Sequence, residues 1–265
     1  MKKKIIFRAD GNTITGLGHL YRLFALVAVF KEDYEYVYVT RTSSNIEVIP
    51  QNYPVTFIDD EQIHLSKEPI WLASNYNPNE HIIIADGYHF TSIYQREIKE
   101  LGFSLVYIDD LGKEHMHADI VVNHSSSFKT SDFSYEAYTK FALGTKYALL
   151  RPAFLEVAKR IRSVTSIDTV FICFGGADKY NFSLQATKVL LEINQIKNIQ
   201  IVLGAAYNDN EIGKLERKFP AKITTYRNLS EDNLMKVMKV CNLAIAPTST
   251  ILYEHICVKM PIISG

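Results

Sequence analysis

At 265 residues with 47% hydrophobic content, the chain holds enough apolar material for one large core or two smaller ones. Twenty-nine Lys and Arg balance twenty-nine Asp and Glu with no block of like charge, so the electrostatic footprint of a nucleic-acid or anionic-membrane binder is missing. No apolar run is long enough to cross a bilayer, and the stretch after the N-terminal lysines is too short for a signal-peptide core.

Taken in chain order, short β-branched or aromatic runs predict strands over residues 4–9, 36–40, 55–58, 82–86, 105–109 and 120–123, with helices over 20–30 and 92–101. Six strands with intervening crossovers make one doubly wound domain over residues 1–150. Leu149-Leu150-Arg151-Pro152 marks its end, because a proline restricts the residue before it. A second domain over 151–265 reads as strands 169–174, 199–203, 223–226, 243–246 and 261–263 with helices 183–193, 209–218, 231–240 and 250–257. Two such α/β domains imply a cleft between them. Cys173, Cys241 and Cys257 are odd in number and sit in apolar runs, which fits buried free thiols in a reducing cytoplasm rather than a disulfide framework.

Three strand-to-helix loops carry candidate chemistry. The first runs from Arg8-Ala9-Asp10 to Gly16-Leu17-Gly18-His19. Its glycines permit positive φ and close ligand approach, and His19 falls in the first turn of a helix whose free amides face an anion. A neutral imidazole there can accept a proton from water. Alone, the motif reads better as a tight βα turn capped by a histidine, and Tyr21 at the third glycine position argues against dinucleotide binding.

The second loop, Phe174-Gly175-Gly176-Ala177-Asp178, offers backbone amides that can wrap a pyrophosphate or simply make a compact turn. In the third, Ser249 and Thr250 open a helix that carries Glu254, a set suited to phosphate and ribose and equally to an ordinary N-cap. Asp86, Tyr88 and Asp109 end strands on the same edge as His19, where they can orient the ring, bind sugar or close turns. His115 and His117 resemble metal ligands, but an alternating pair without a further anchor reads as a solvated loop.

Taken together and in order, Arg8-Ala9-Asp10, Gly16-Leu17-Gly18-His19-Leu20-Tyr21-Arg22, Tyr107-Ile108-Asp109-Asp110-Leu111, Ala118 to Asn123, Leu143 to Pro152, Phe174 to Asp178 and Tyr253-Glu254 resemble the UDP-sugar hydrolases of pseudaminic acid biosynthesis and the related spore-coat polysaccharide proteins. The resemblance spans nearly the whole chain. It implies a GT-B-like fold of two Rossmann-like domains, similar to the peptidoglycan N-acetylglucosaminyltransferase. It further implies that UDP is removed from a UDP-2,4-diacetamido-2,4,6-trideoxyhexose by water, with no cofactor and no metal. On this basis His19 is the general base, and Arg8, Asp10, Gly16, Gly18, Asp86, Tyr88 and Asp109 lie on the sugar side. Gly175, Gly176, Ser249, Thr250 and Glu254 then surround the UDP.

The alternatives are a GT-B glycosyltransferase using a UDP-sugar donor and a non-catalytic nucleotide-sugar-binding protein. The chain departs from the family pattern at Pro247-Thr248-Ser249, where relatives are glycine-rich, and at Ala153 and Lys179. It also stops at Gly265 on a strand end, where GT-B proteins continue to a terminal helix, so either this member is shortened or the chain is incomplete.

Overall fold

A computed structural model describes residues 2–12, 15–175, 178–204, 207, 210–227 and 229–265. Met1–Leu149 form one compact unit and Leu150–Gly265 another. Among the described residues the first unit contains β1 (Lys4–Ala9), α1 (Gly18–Phe30), β2 (Tyr36–Arg41), β3 (Val55–Ile58), α2 (Glu68–Asn75), β4 (His81–Asp86) and α3 (Ser92–Glu100). These are followed by β5 (Ser104–Ile108), β6 (His115–Met116), β7 (Ile120–Asn123), β8 (Ser134–Tyr135) and β9 (Lys140–Leu143). Seven strands form a parallel sheet in the order β3-β2-β1-β4-β5-β7-β9, and β6 pairs with β8 separately.

The two-residue period of β1 explains how this sheet is covered. Ile5, Phe7 and Ala9 turn to the face where Leu20, Leu23 and Val27 of α1 pack. Ile6 turns to the other face, with Leu72 of α2 and Tyr94 and Ile98 of α3. Strands covered on both faces need near-continuous apolar runs, which is why β1 and β4 are readable in the sequence.

The sheet has seven strands where the sequence predicts six. The extra one, β9, is a half-exposed edge strand that lacks a fully buried run. Helix α2 also goes unpredicted. Its Pro69 looks like a breaker, yet proline is tolerated in a first helical turn, where the missing N–H would have no partner.

The second unit contains α4 (Pro152–Ala158), β10 (Thr169–Ile172), α5 (Phe182–Glu192), β11 (Asn198–Leu203), α6 (Glu211–Lys218), β12 (Ile223–Arg227), α7 (Glu231–Val240), β13 (Leu243–Ala246), α8 (Thr250–Cys257) and β14 (Ile262–Ser264). Its five strands are parallel in the order β12-β11-β10-β13-β14. Phe171 and Cys173 face α4, α7 and α8, while Val170 and Ile172 face α5 and α6. Pro152, expected only to mark a boundary, opens α4. All three cysteines are buried and free.

Candidate active site

Parallel pairing of β1 with β4 sets Ala9 beside Asp86, so the loop leaving β1 and the end of β4 share one edge of the sheet. Helix α1 starts there without a side-chain cap or an acidic residue in its first turn. His19 in that turn is buried, and its Nδ1 lies 2.7 Å from Asp86 Oδ1. Arg22, one turn further along α1, donates from Nε to Asp86 Oδ2 at 2.8 Å and from Nη2 to Oδ1 at 2.6 Å. It also donates from Nη1 to Asp110 Oδ1 at 2.5 Å.

Tyr88 packs edge-on against the His19 ring, with centroids 4.6 Å apart, and its hydroxyl donates to Asp110 Oδ2 at 3.4 Å. Tyr88 is 55% exposed and Asp110 half-buried, whereas His19, Arg22 and Asp86 are buried.

The electrostatics follow from this geometry. Burial alone would raise the Asp86 carboxyl, but the Arg22 guanidinium and the His19 hydrogen bond hold it below its ordinary value. Asp86 Oδ1 at 2.7 Å and Arg22 Nη2 at 2.9 Å both approach His19 Nδ1; in the tautomer that donates from Nδ1 to ionised Asp86, Nε2 carries the lone pair. His124, on the same edge, is held below its usual value by burial and then by Arg22.

Arg8 and Asp10, expected on the sugar side, belong instead to a buried ion network. Arg8 is fully buried and donates to Asp10 at 2.6 and 2.8 Å and to Glu68 at 2.6 and 2.9 Å. Glu68 also accepts from Arg41 at 2.8 Å and from the Tyr94 hydroxyl at 2.7 Å. Asp10 accepts from the Arg41 amide and the Thr40 hydroxyl. The network lies where the first loop leaves β1.

Asp86, also expected on the sugar side, is fully buried with its carboxylate on His19 and Arg22. Asp109 is buried too; it accepts from the Gly112 amide and the Asn123 side chain and so closes a turn. Gly16 has φ +80°, a conformation that favours glycine, and its amide donates to the Asn12 carbonyl at 2.9 Å. Gly18 is the first residue of α1.

In the second unit Gly175 follows β10 with φ +78°; Gly176 lies outside the described residues. Asp178 accepts from the amides of Phe182 and Ser183 at 2.9 and 2.8 Å, so the start of α5 already has its anion. By contrast Ser249 precedes α8 without a side-chain cap bond, and it is exposed beside half-buried Thr250. Glu254 is buried, and its Oε1 accepts from Arg151 at 2.9 and 2.7 Å; burial pushes its carboxyl up against the pull of Arg151.

Sequence reasoning missed the roles of Arg22 and Asp110. The available signal was the i, i+3 spacing of His19 and Arg22, which puts both on one helix face. It also missed Glu136, whose carboxylate approaches His115 and His117, so the pair does have a further anchor.

No protein-family profile matches the chain. It is 27% identical over 270 residues to an uncharacterized protein of Methanocaldococcus jannaschii, covering 98% of this chain and 55% of that protein. This chain thus spans little more than half the length of that relative. It is 30% identical over 263 residues to the UDP-2,4-diacetamido-2,4,6-trideoxy-beta-L-altropyranose hydrolase of Campylobacter jejuni, covering 97% of this chain and 89% of that one. Among solved structures, Anabaena HepE in complex with UDP-glucose superposes with a TM-score of 0.63 at 12% identity, over 100% of this chain and 80% of that one. The fold is GT-B-like, with two Rossmann-like sheets. Among the described residues no helix is long and apolar enough to cross a membrane.

Proposed function

We propose a reaction from the premise that this chain belongs to the family of the UDP-2,4-diacetamido-2,4,6-trideoxy-beta-L-altropyranose hydrolase: it acts on a UDP-sugar and releases UDP through attack of water at the anomeric carbon. The observation that carries this reading is His19 Nδ1 at 2.7 Å from Asp86 Oδ1; with Nδ1 donating to that carboxylate, Nε2 is the nitrogen proposed to accept a proton.

In the proposed step water forms a bond to the anomeric carbon and gives its proton to His19 Nε2. The bond from that carbon to the β-phosphate oxygen breaks, and its electron pair leaves with UDP. The sugar passes through an oxocarbenium-like state, so the developing charge on the diphosphate must be stabilised. Tyr88 is the sugar-facing group we retain. Gly175, Gly176, Ser249, Thr250 and Glu254 are the proposed UDP contacts, and the uncapped start of α8 supports the phosphate part of that assignment. UDP-glucose in the HepE complex supports a nucleotide-sugar partner. The product would enter nonulosonic acid or surface polysaccharide synthesis.

Incubation with a UDP-2,4-diacetamido-2,4,6-trideoxyhexose and no acceptor tests the reading. Equal amounts of UDP and free sugar are expected. Turnover that begins only when a carbohydrate or lipid acceptor is added would make the protein a glycosyltransferase, with a sugar hydroxyl in the place of water. UDP binding without any turnover would make it a non-catalytic binder.

A further inference from the structure

His115 and His117 alternate along β6 and its continuation, so both side chains leave on one face. Parallel β8 pairs Ser134 with His115 and Tyr135 with Met116, and the Glu136 amide then donates to the Met116 carbonyl at 3.1 Å. This pairing returns Glu136 to the two rings. Its Oε1 lies 3.1 Å from His115 Nε2 and 3.3 Å from His117 Nδ1, and the three ligand atoms all fall within 4.8 Å of one another.

We infer that His115 Nε2, His117 Nδ1 and Glu136 Oε1 form a binding site for a divalent cation of the zinc class, with a fourth position open to water. Tetrahedral zinc with bonds of about 2.0–2.2 Å sets its ligands about 3.3–3.6 Å apart along each edge. Two edges of the present cluster, at 3.1 and 3.3 Å, already approach that spacing. Two imidazoles and a carboxylate suit zinc and its transition-metal neighbours, whereas calcium and magnesium prefer all-oxygen shells.

The surroundings hold the ligands as a metal site requires. Ser134 Oγ lies 2.6 Å from His115 Nδ1. With that nitrogen donating to the serine, the lone pair of Nε2 is directed at the metal position. The His117 backbone is pinned on both sides: its amide donates to Gln95 Oε1 at 3.1 Å, and its carbonyl accepts from the Tyr138 hydroxyl at 3.0 Å. Gln95 is itself fully buried and anchored on the Phe90 carbonyl. A surface cavity of about 430 Å³, lined by Arg96, Lys99, His117, Asp119, Glu136 and Tyr138 among others, lies beside the cluster. The cluster shares no residue with the His19 group, and a bound ion would tie β6 to β8.

The test uses the full chain after treatment with a chelator, titrated with zinc chloride by calorimetry. One equivalent per chain is expected, with a micromolar or tighter dissociation constant. His117→Ala and Glu136→Gln should each weaken binding at least tenfold, while His64→Ala, at an exposed histidine elsewhere in the same unit, should leave it unchanged. Metal-free melting curves of the variants establish that they are folded.

Zinc-edge X-ray absorption on the unaltered chain reads the ligands without any variant. Two imidazoles with oxygen neighbours are expected, and a sulfur shell, placing zinc on the cysteines, would overturn the assignment. Absence of stoichiometric uptake, or equal affinity in folded His117→Ala and Glu136→Gln, would overturn it as well.

Discussion

At the scale of single residues the account rests on which nitrogen of His19 is committed. Asp86 occupies Nδ1, Arg22 keeps Asp86 ionised, and Tyr88 covers one side of the ring. Glutamine in place of histidine keeps a polar group of similar reach but removes the proton acceptor. His19→Gln is therefore expected to lower turnover about a hundredfold or more, the usual loss for a general base, with UDP affinity nearly unchanged. Steady-state rates and UDP calorimetry on the same preparation check this, and undiminished turnover would remove His19 from the reaction. Arg8 carries the opposite lesson. It sits in the same motif, yet its guanidinium is buried and paired with Asp10 and Glu68, so proximity in sequence to His19 gave no information about which way the side chain points.

At the scale of elements, helix α8 holds two buried ionisable neighbours in succession. Glu254 has Arg151 as a partner, whereas His255 is fully buried against Phe171 with neither ring nitrogen hydrogen-bonded. Burial lowers His255 from 6.5 to about 4. Its folded-state value lies below its unfolded one, so between about pH 4 and 6.5 the unfolded chain binds a proton that the folded chain refuses. The stability that depends on neutral His255 is complete above pH 6.5 and is lost as pH falls through that window, by up to about 3 kcal/mol at about 1.4 kcal/mol per unit. Urea unfolding at several pH values should show this slope, and His255→Phe should flatten it; an unchanged slope would assign it to other groups.

The same scale explains what the sequence made legible. The central strands and α1 announce themselves through continuous or periodic apolar residues. The half-exposed edge strand β9 and the proline-led helices α2 and α4 do not. The His19 loop was legible because glycines and a histidine follow a buried strand. Glu136 was not, because its approach to His115 depends on the pairing of β6 with β8, a contact between segments about twenty residues apart that no local pattern encodes.

At the scale of the molecule, two parallel α/β units of the GT-B-like class each present loops at the carboxyl ends of their strands, where such sheets bind ligands. In the first unit that edge holds His19 with the buried Asp86 carboxylate at its Nδ1. In the second it holds an uncapped helix start at Ser249 and a buried Glu254. The Asp178 carboxylate already accepts from two amides at the start of α5, and the phosphate contact we propose therefore falls at α8.

Hydrolysis of the UDP-sugar in ¹⁸O-labelled water, with mass analysis of the released UDP, tests the central claim most directly. Attack at the anomeric carbon leaves the label out of UDP and puts it on the sugar, and that is the predicted result. Label recovered in the β-phosphate of UDP would mean attack at phosphorus, and would contradict the role assigned to His19.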